Sequence, residues 1–352
     1  MNNIDLRVDG LDYSGWTKAT IARSIDAVCA SFSLTLTEQR DVDVNSAHQQ
    51  VRAGQACELR LNNTLVLSGV VDDAMPSYDA RQHTITVRGR SKARNLVDCG
   101  RPAQQWRNQN LLQLAKVLAA PFDIDVRSDT DVGAAFERPA IEPGQTSFEF
   151  LEKMARQRGV RFISDPDGTL VITGVGRKLA PDVLQLGGNI RSASGNFSMR
   201  ARFHSVTVLG QRIGTDWAHS AASAQNKGVA IDASIDVLRT HYIVSESAAD
   251  SSDCKTRAQW RLNTAFGRSQ ALTYTVYGWE HSGGLWEPNT LVQVHDKWMG
   301  FDGEQLLIAS LRFLLDDEGL RTELQLMKPE AFELLPLPDK AKIDAKGPAK
   351  WN

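Results

Sequence analysis

Residues 54–61, 65–71 and 83–88 read GQACELRL, LVLSGVV and HTITVR, and a similar succession (PNTLVQVH, LLIASLRF, RTELQL) occupies residues 288–295, 306–313 and 321–326. Apolar and polar residues alternate within these segments, which is typical of β-strands with one buried face. Each set predicts three consecutive strands with an acidic turn before the third, at Asp72-Asp73 and at Asp316–Gly319. A chain that builds one β-unit twice and carries no catalytic signature is more typical of a scaffold than of an enzyme.

The composition is that of an ordinary globular protein. The chain has 352 residues, 42% of them hydrophobic and 23% charged, and a formal net charge of −2. This length predicts two or three domains, and the near-neutral charge gives no overall attraction to nucleic acid or acidic membranes. No apolar run approaches the roughly 20 residues that cross a bilayer, and residues 1–7 lack the features of a signal peptide. We therefore expect synthesis and assembly in a cytoplasm, without membrane insertion.

The order of predicted elements gives an α+β, mainly β fold. Short alternating segments within residues 1–98 predict a small antiparallel barrel or sandwich, and β texture returns in residues 181–332. Between them, residues 99–180 predict an α+β domain with helices at 110–120 and after the Thr146–Glu149 capping box. We thus expect two similar antiparallel β-barrel domains around a small α+β brace.

Two further segments interrupt or follow this pattern. Residues 214–230, rich in small and polar residues, predict a loop in an inserted segment near 214–253. A helix is predicted over residues 252–266. Residues 333–352, which contain several prolines and lysines, predict an extended tail.

No motif indicates a cofactor, a metal or a catalytic residue. Gly174-Val175-Gly176 lacks the third glycine of a dinucleotide loop, since Leu179 takes its place. The seven histidines are not spaced as metal ligands, and the four cysteines are scattered, so reduced thiols are expected. The pairs Asp72-Asp73 and Asp316-Asp317 are interpreted as turn residues rather than as catalytic carboxylates.

A run of basic residues is the main charge feature. Between Arg81 and Arg107, seven basic residues stand against one acid, Asp98. The run predicts a surface that guides a passing phosphate backbone or, in the interpretation we favour, a solvated face or a salt-bridge surface between subunits. The candidate lumen or interface residues are Arg88, Arg90, Lys92 and Arg94.

Tryptophan is frequent, with eight in the chain. Trp16, Trp279, Trp286 and Trp298 lie near predicted strand ends or turns, and the first three are the candidate interface aromatics. They are interpreted either as buried plugs at barrel ends or as aromatic anchors of a permanent interface, where large aromatic residues supply much of the binding energy.

Several segments resemble one family over nearly the whole chain. They include Val8-Asp9-Gly10 with Ser14–Thr17, residues 87–92, Gln105–Asn108, and Tyr277-Gly278-Trp279 with Leu285-Trp286. In these segments the chain is similar to the baseplate hub proteins of contractile phage tails, of the phage Mu type and the late control protein D family.

The resemblance implies a homotrimer with no enzymatic activity. Each subunit would contribute two β-barrel tube domains to a pseudo-six-fold ring in the virion tail baseplate, and the ring would join the tail tube protein to the membrane-piercing spike. Other baseplate proteins would bind it, and DNA would only pass through its lumen. Alternatives that remain open are a tail-associated cell-wall hydrolase, a DNA-binding barrel, and the hub of a related bacteriocin or secretion device.

Overall fold

The structure of the protein is a computed structural model that describes residues 3–39, 51–80, 82–211, 226–248 and 251–335. It is mainly β with a smaller helical part, as predicted. The strands up to residue 105 are β1 (Ile4–Val8), β2 (Leu11–Tyr13), β3 (Lys18–Ser24), β4 (Ser31–Gln39), β5 (Ala56–Leu61), β6 (Thr64–Tyr78), β7 (Gln82–Ser91) and β8 (Gln104–Gln105). The strands up to residue 197 are β9 (Val126–Ser128), β10 (Ala140–Ile141), β11 (Arg161–Ser164), β12 (Leu170–Thr173), β13 (Leu184–Gln185) and β14 (Ile190–Phe197).

The remaining strands are β15 (Ser205–Gln211), β16 (Lys227–Ile231), β17 (Thr240–Ala248), β18 (Gln270–Tyr277), β19 (Glu280–His281), β20 (Gly284–Leu285), β21 (Leu291–Asp296), β22 (Phe301–Asp316) and β23 (Gly319–Met327). The helices are α1 (Arg94–Asp98), α2 (Leu111–Ala119), α3 (Ser147–Arg158) and α4 (Ser251–Arg268), with single 3₁₀ turns at Ala120–Phe122 and Pro329–Ala331. None of these described helices is long and apolar enough to cross a membrane.

The predicted repeat is confirmed as two sets of three antiparallel strands, β5-β6-β7 and β21-β22-β23. The first strands bury alternate residues in the same pattern, Cys57, Leu59 and Leu61 in one and Val292, Val294 and Asp296 in the other. The third strands also match, since the sequence of buried and exposed residues from 83 to 90 recurs from 320 to 327. The alternation seen in the sequence therefore sets the buried face of both units.

The turn of the first repeat was predicted in the wrong place. Asp72 and Asp73 lie inside β6, which continues to Tyr78, and β7 begins at Gln82. A β-bulge between Val71 and Asp73 in the β6–β7 pair explains the error, because a bulge admits an extra residue without ending the strand.

Both repeats belong to one 13-stranded sheet. Its main path is β14-β18-β23-β22-β3-β4-β7-β6-β5-β1-β2, and β21 and β13 extend from β22. The two halves join where β3 pairs antiparallel with the last part of β22, from Ser24 opposite Ser310 to Ala19 opposite Leu315. Because the path ends at β14 and β2, the described strands form no closed barrel, and the predicted two-barrel arrangement is not confirmed.

The predicted helices between the repeats are confirmed. Asn110 and Gln113 form a capping box at the start of α2, and Thr146 and Glu149 form one at the start of α3. Gly159, with a φ of 68°, follows the end of α3, as expected of a residue that ends a helix in the left-handed conformation. After α3, β11 and β12 form an antiparallel hairpin, and β9 adds to β12 in parallel.

The chain consists of two compact units. The first contains residues 1–155, 161–194 and 273–326, and so holds both repeats. The second contains residues 156–160, 195–272 and 327–352. In the second unit, the three-stranded sheet β16-β15-β17 packs its Val206 and Val208 against Cys254, Ala258 and Leu262 of α4.

The prediction of a loop over residues 214–230 is wrong at its C-terminal end, because residues 227–231 form strand β16. Gly228 lets this strand approach α4 closely, since a β-carbon there would lie 2.0 Å from the backbone nitrogen of Lys255. The remainder of that loop up to residue 225, and the predicted tail from residue 336, lie outside the described residues.

Candidate assembly surface

Two of the four basic candidates are bound within their own chain. On the solvent-facing side of β7, Arg90 donates through Nε to Asp72 at 2.7 Å and through Nη2 to Asp98 at 2.7 Å. Arg94 at the start of α1 donates to the other oxygen of Asp72. These residues form an ion-pair cluster that fastens α1 to the sheet.

The pKa values in this cluster follow from its contacts. The hydrogen bonds with Asp98 and then Asp72 raise the pKa of Arg90. Burial raises the pKa of Asp72, but the hydrogen bonds from Arg90 and Arg94 outweigh it and leave this pKa below its ordinary value. Arg90 and Asp72 therefore both stay charged at neutral pH, and the guanidinium groups of Arg90 and Arg94 are engaged by carboxylates.

The other two basic candidates differ from this pair. Arg88 lies on the same side of β7 and is exposed. Lys92 is half-buried and covers the turn at Gly168, where a β-carbon would lie 2.7 Å from Lys92 Cδ. Of the four, Arg88 is thus the one whose charge is freely presented to solvent.

The three candidate tryptophans are buried within a single chain. Trp16 donates its indole N–H to the carbonyl of Tyr13 at 3.0 Å, and Trp279 donates to the carbonyl of Leu314 at 3.0 Å. Trp286 packs edge-on against the ring of His281, with ring centroids 4.8 Å apart. These contacts make the indoles part of the fold's own packing, and their share in any contact with another chain stays a prediction.

A fourth tryptophan, Trp298, is 85% exposed. It lies in the turn between β21 and β22, which buried Asp296 shapes by accepting the backbone N–H groups of Trp298 and Met299 at 3.1 and 3.2 Å. Tyr274 donates to the second oxygen of Asp296 at 3.1 Å. The sequence indicates a turn there, but nothing in the alternation distinguishes this exposed indole from the buried ones.

Each of the two carboxylate pairs contains one aspartate that is bound by arginine and one that is exposed. Asp316 accepts two hydrogen bonds from Arg321, at 2.5 and 2.6 Å, and these lower the pKa of Asp316 to about 2. Asp317 and Asp73 are exposed. Within the described ranges, no three His, Cys, Asp or Glu side chains lie close enough together to hold a metal ion.

The four cysteines are free thiols. Burial raises the pKa of Cys57 to about 12 and that of Cys29 to about 11, so both remain protonated and unreactive at neutral pH.

Three family models match the chain. Residues 3–91 match "Mu phage baseplate assembly protein GpP-like, N-terminal", residues 93–174 match "Baseplate hub protein gp44-like, second domain", and residues 250–335 match "Mu phage baseplate assembly protein GpP, fourth domain". Together these matches cover most of the chain.

Individual relatives agree with the family models. The chain is 29% identical to baseplate hub protein gp44 of Escherichia phage Mu over 342 residues, which cover 94% of this chain and 89% of the phage protein. It is similar to the crystal structure of a 43 kDa tail protein of prophage MuSo2 from Shewanella oneidensis, with a TM-score of 0.84, 37% identity and coverage of 95% of this chain and 100% of that one.

A more distant match shows the fold alone. The Escherichia coli protein c3393, described as a component of the type VI secretion system similar to T4 tail proteins gp27 and gp5, is 14% identical with a TM-score of 0.56. That match covers 95% of this chain and 80% of c3393.

Proposed function

Since this chain belongs to the family of phage Mu-type baseplate hub proteins, we propose that it acts as a homotrimeric ring at the centre of a contractile tail baseplate, in the virion. The observation that carries this proposal is the duplicated unit β5-β6-β7 and β21-β22-β23 in one sheet. Three chains that each supply two equivalent units give six similar positions around a three-fold axis. A ring of this kind matches a six-fold tube on one side and a three-fold spike on the other.

The partners of such a ring are the tail tube protein, the membrane-piercing spike and the neighbouring baseplate proteins. The ring works by positioning these partners, and no chemistry is required of it. Asp72 and Asp316, the carboxylates most open to a catalytic interpretation, are each held by arginines, which supports a structural role. Exposed Arg88 is the best candidate among the basic residues for a lumen that DNA crosses.

The experiment is a measurement of mass by light scattering behind size-exclusion chromatography, followed by negative-stain microscopy. We expect three times the chain mass of 38.8 kDa and a ring in projection. A monomer at micromolar concentration, without rings when the spike protein is added, would overturn the proposal. Release of soluble fragments from purified cell wall would favour the hydrolase instead.

A further inference from the structure

Among the described residues, the edges of the large sheet that carry no further strand include two that belong to β6 and β14. One is the last part of β6, residues 72–78, on the side opposite β7, because β5 pairs only with Thr64–Val70 of that strand. The other is β14, which pairs with β18 on one side only. Both edges are open to solvent, and Tyr78 at the end of β6 is 83% exposed. An open edge of this kind is a template for an added strand.

The chain contains an example of how such an edge is filled. In the second repeat, the part of β22 that corresponds to residues 72–78 is paired with β3. The Ile25 N–H donates to the Ala309 carbonyl at 2.9 Å at the start of this ladder. As hydrogen-bonded positions alternate along antiparallel strands, Leu311, Phe313 and Leu315 direct their backbone groups towards β3.

Just before its open part, the backbone of β6 makes the same hydrogen bonds as the backbone of β22 at the equivalent position. Val71 exchanges hydrogen bonds with Gly54 and Gln55, at 2.8 and 2.9 Å. Ile308 exchanges equivalent bonds with Asn289 and Thr290, both at 2.9 Å. These matching bonds make Ala74, Pro76 and Tyr78 the counterparts of Leu311, Phe313 and Leu315.

Pro76 fits this assignment. A proline that faced β7 would remove a hydrogen bond from that ladder, whereas one that faces the open side removes none. On the open side, Pro76 also limits indiscriminate strand addition, because the incoming strand finds no N–H donor at that position. The edge is therefore suited to a specific partner strand.

The strand β14 holds the position that β3 holds in the other repeat. Strand β3 lies beyond β4, which borders β7; β14 lies beyond β18, which borders β23. Within one chain, β3 of the first half fills the edge of β22 in the second half. The counterpart contact, β14 with β6, would join a second half to a first half and is not made within the chain.

We propose that β14 of one copy adds to residues 72–78 of β6 in a second copy of this chain, as β3 adds to β22. The contact is head-to-tail: each copy adds its β14 to one neighbour and binds the β14 of another neighbour along its own β6. Such a contact gives a closed ring when the rotations between successive copies add up to a full turn. This inference rests on the proposed trimer, and it names the strands that hold the trimer together. Main-chain hydrogen bonds along the shared ladder would supply much of the affinity.

The test is disulfide cross-linking in the full chain, with exposed Cys99 replaced by serine. Ser77 and Ser194 are exposed; Ser77 lies near the end of the open part of β6, and Ser194 lies near the middle of β14. We expect the variant S77C/S194C to give covalent dimers and closed covalent trimers on oxidation, seen by non-reducing electrophoresis. S77C or S194C alone, and the pair S77C/L11C with a cysteine on the β2 edge, should remain largely uncross-linked.

A second pair, M75C/N196C, lies two residues along each strand in the antiparallel sense and tests the same ladder if the first pair folds poorly. A trimeric mass without cross-links from either pair would overturn this inference and leave the hub proposal standing. A cross-link within one chain, seen as a monomer of altered mobility, would also overturn it. A monomeric mass for the unmodified protein would remove both proposals.

Discussion

The second strands of the two repeats, β6 and β22, have nearly the same length and the same place in their units, but they differ in how their last parts are covered. Residues 310–315 of β22 pair with β3, and the indole of Trp279 bonds to the Leu314 carbonyl. The corresponding residues of β6 carry no strand on that side within the described chain. Duplication therefore reproduced the strands but not their neighbours, and the uncovered copy is the one available to another chain.

The first prediction concerns the packing around β22 in the second repeat. Replacing Trp279, which is 3% exposed, by alanine should lower the free energy of unfolding by about 3–5 kcal/mol, because it leaves a cavity beside β22 and removes the indole hydrogen bond to the Leu314 carbonyl. Urea unfolding followed by circular dichroism measures this.

The matched control is Trp298→Ala in the exposed turn of the same repeat. Its effect on stability should lie within about 0.5 kcal/mol, because the side chain is almost fully hydrated. Equal losses for the two variants would contradict the burial that distinguishes them.

The second prediction concerns the ion-pair cluster, which only the first repeat has. Asp72 occupies the position that Ala309 occupies in the second. Asp72→Asn should lower the free energy of unfolding by about 1–3 kcal/mol, since it weakens charge-assisted hydrogen bonds from Arg90 and Arg94. Exposed Asp73→Asn is the control and should have little effect.

Acid should have the same effect as this substitution. The pKa of Asp72 is lower in the folded chain than its ordinary value of 3.8, so its contribution is present above about pH 4 and disappears as the pH falls through the folded pKa. The difference in denaturation midpoint between wild type and Asp72→Asn should therefore shrink on acidification. A constant difference down to pH 2 would contradict the ion-pair account.

The third prediction sharpens the comparison at one backbone position. Gly54 and Asn289 both have positive φ, 90° and 61°, and make the equivalent bonds to Val71 and Ile308. The side chain of Asn289 also accepts from Gly176 N–H at 2.7 Å and donates to the Gly174 carbonyl at 3.1 Å.

Asn289→Gly keeps the left-handed conformation but loses these two bonds, so it should cost about 1–2 kcal/mol. Gly54→Asn should change stability by only about 0.5 kcal/mol, because asparagine adopts this conformation more readily than other side chains. Thermal unfolding of both variants measures the difference. A larger loss for Gly54→Asn would show that the two positions are not equivalent.

Local patterns predicted many of the elements. Alternation placed β5 and β21 with the correct buried residues, and the Thr146–Glu149 pair located the start of α3. They failed where a strand contains a β-bulge, because the acidic pair at Asp72 predicts a turn although β6 continues through it. In α3, Phe148 is half-buried and Phe150 lies deeper, because packing against neighbouring elements sets the orientation of a helix.

By itself, then, the sequence determined the two copies of a three-strand unit, the helices between them and the family to which the chain is similar. These features depend on residues close together in the chain, where periodicity and caps act directly. The tertiary structure decided the joining of β3 to β22, the arginines bound to Asp72, and which tryptophans are buried. Those contacts link residues up to nearly 300 positions apart, as between Ser24 and Ser310, and no local pattern encodes which edge meets which.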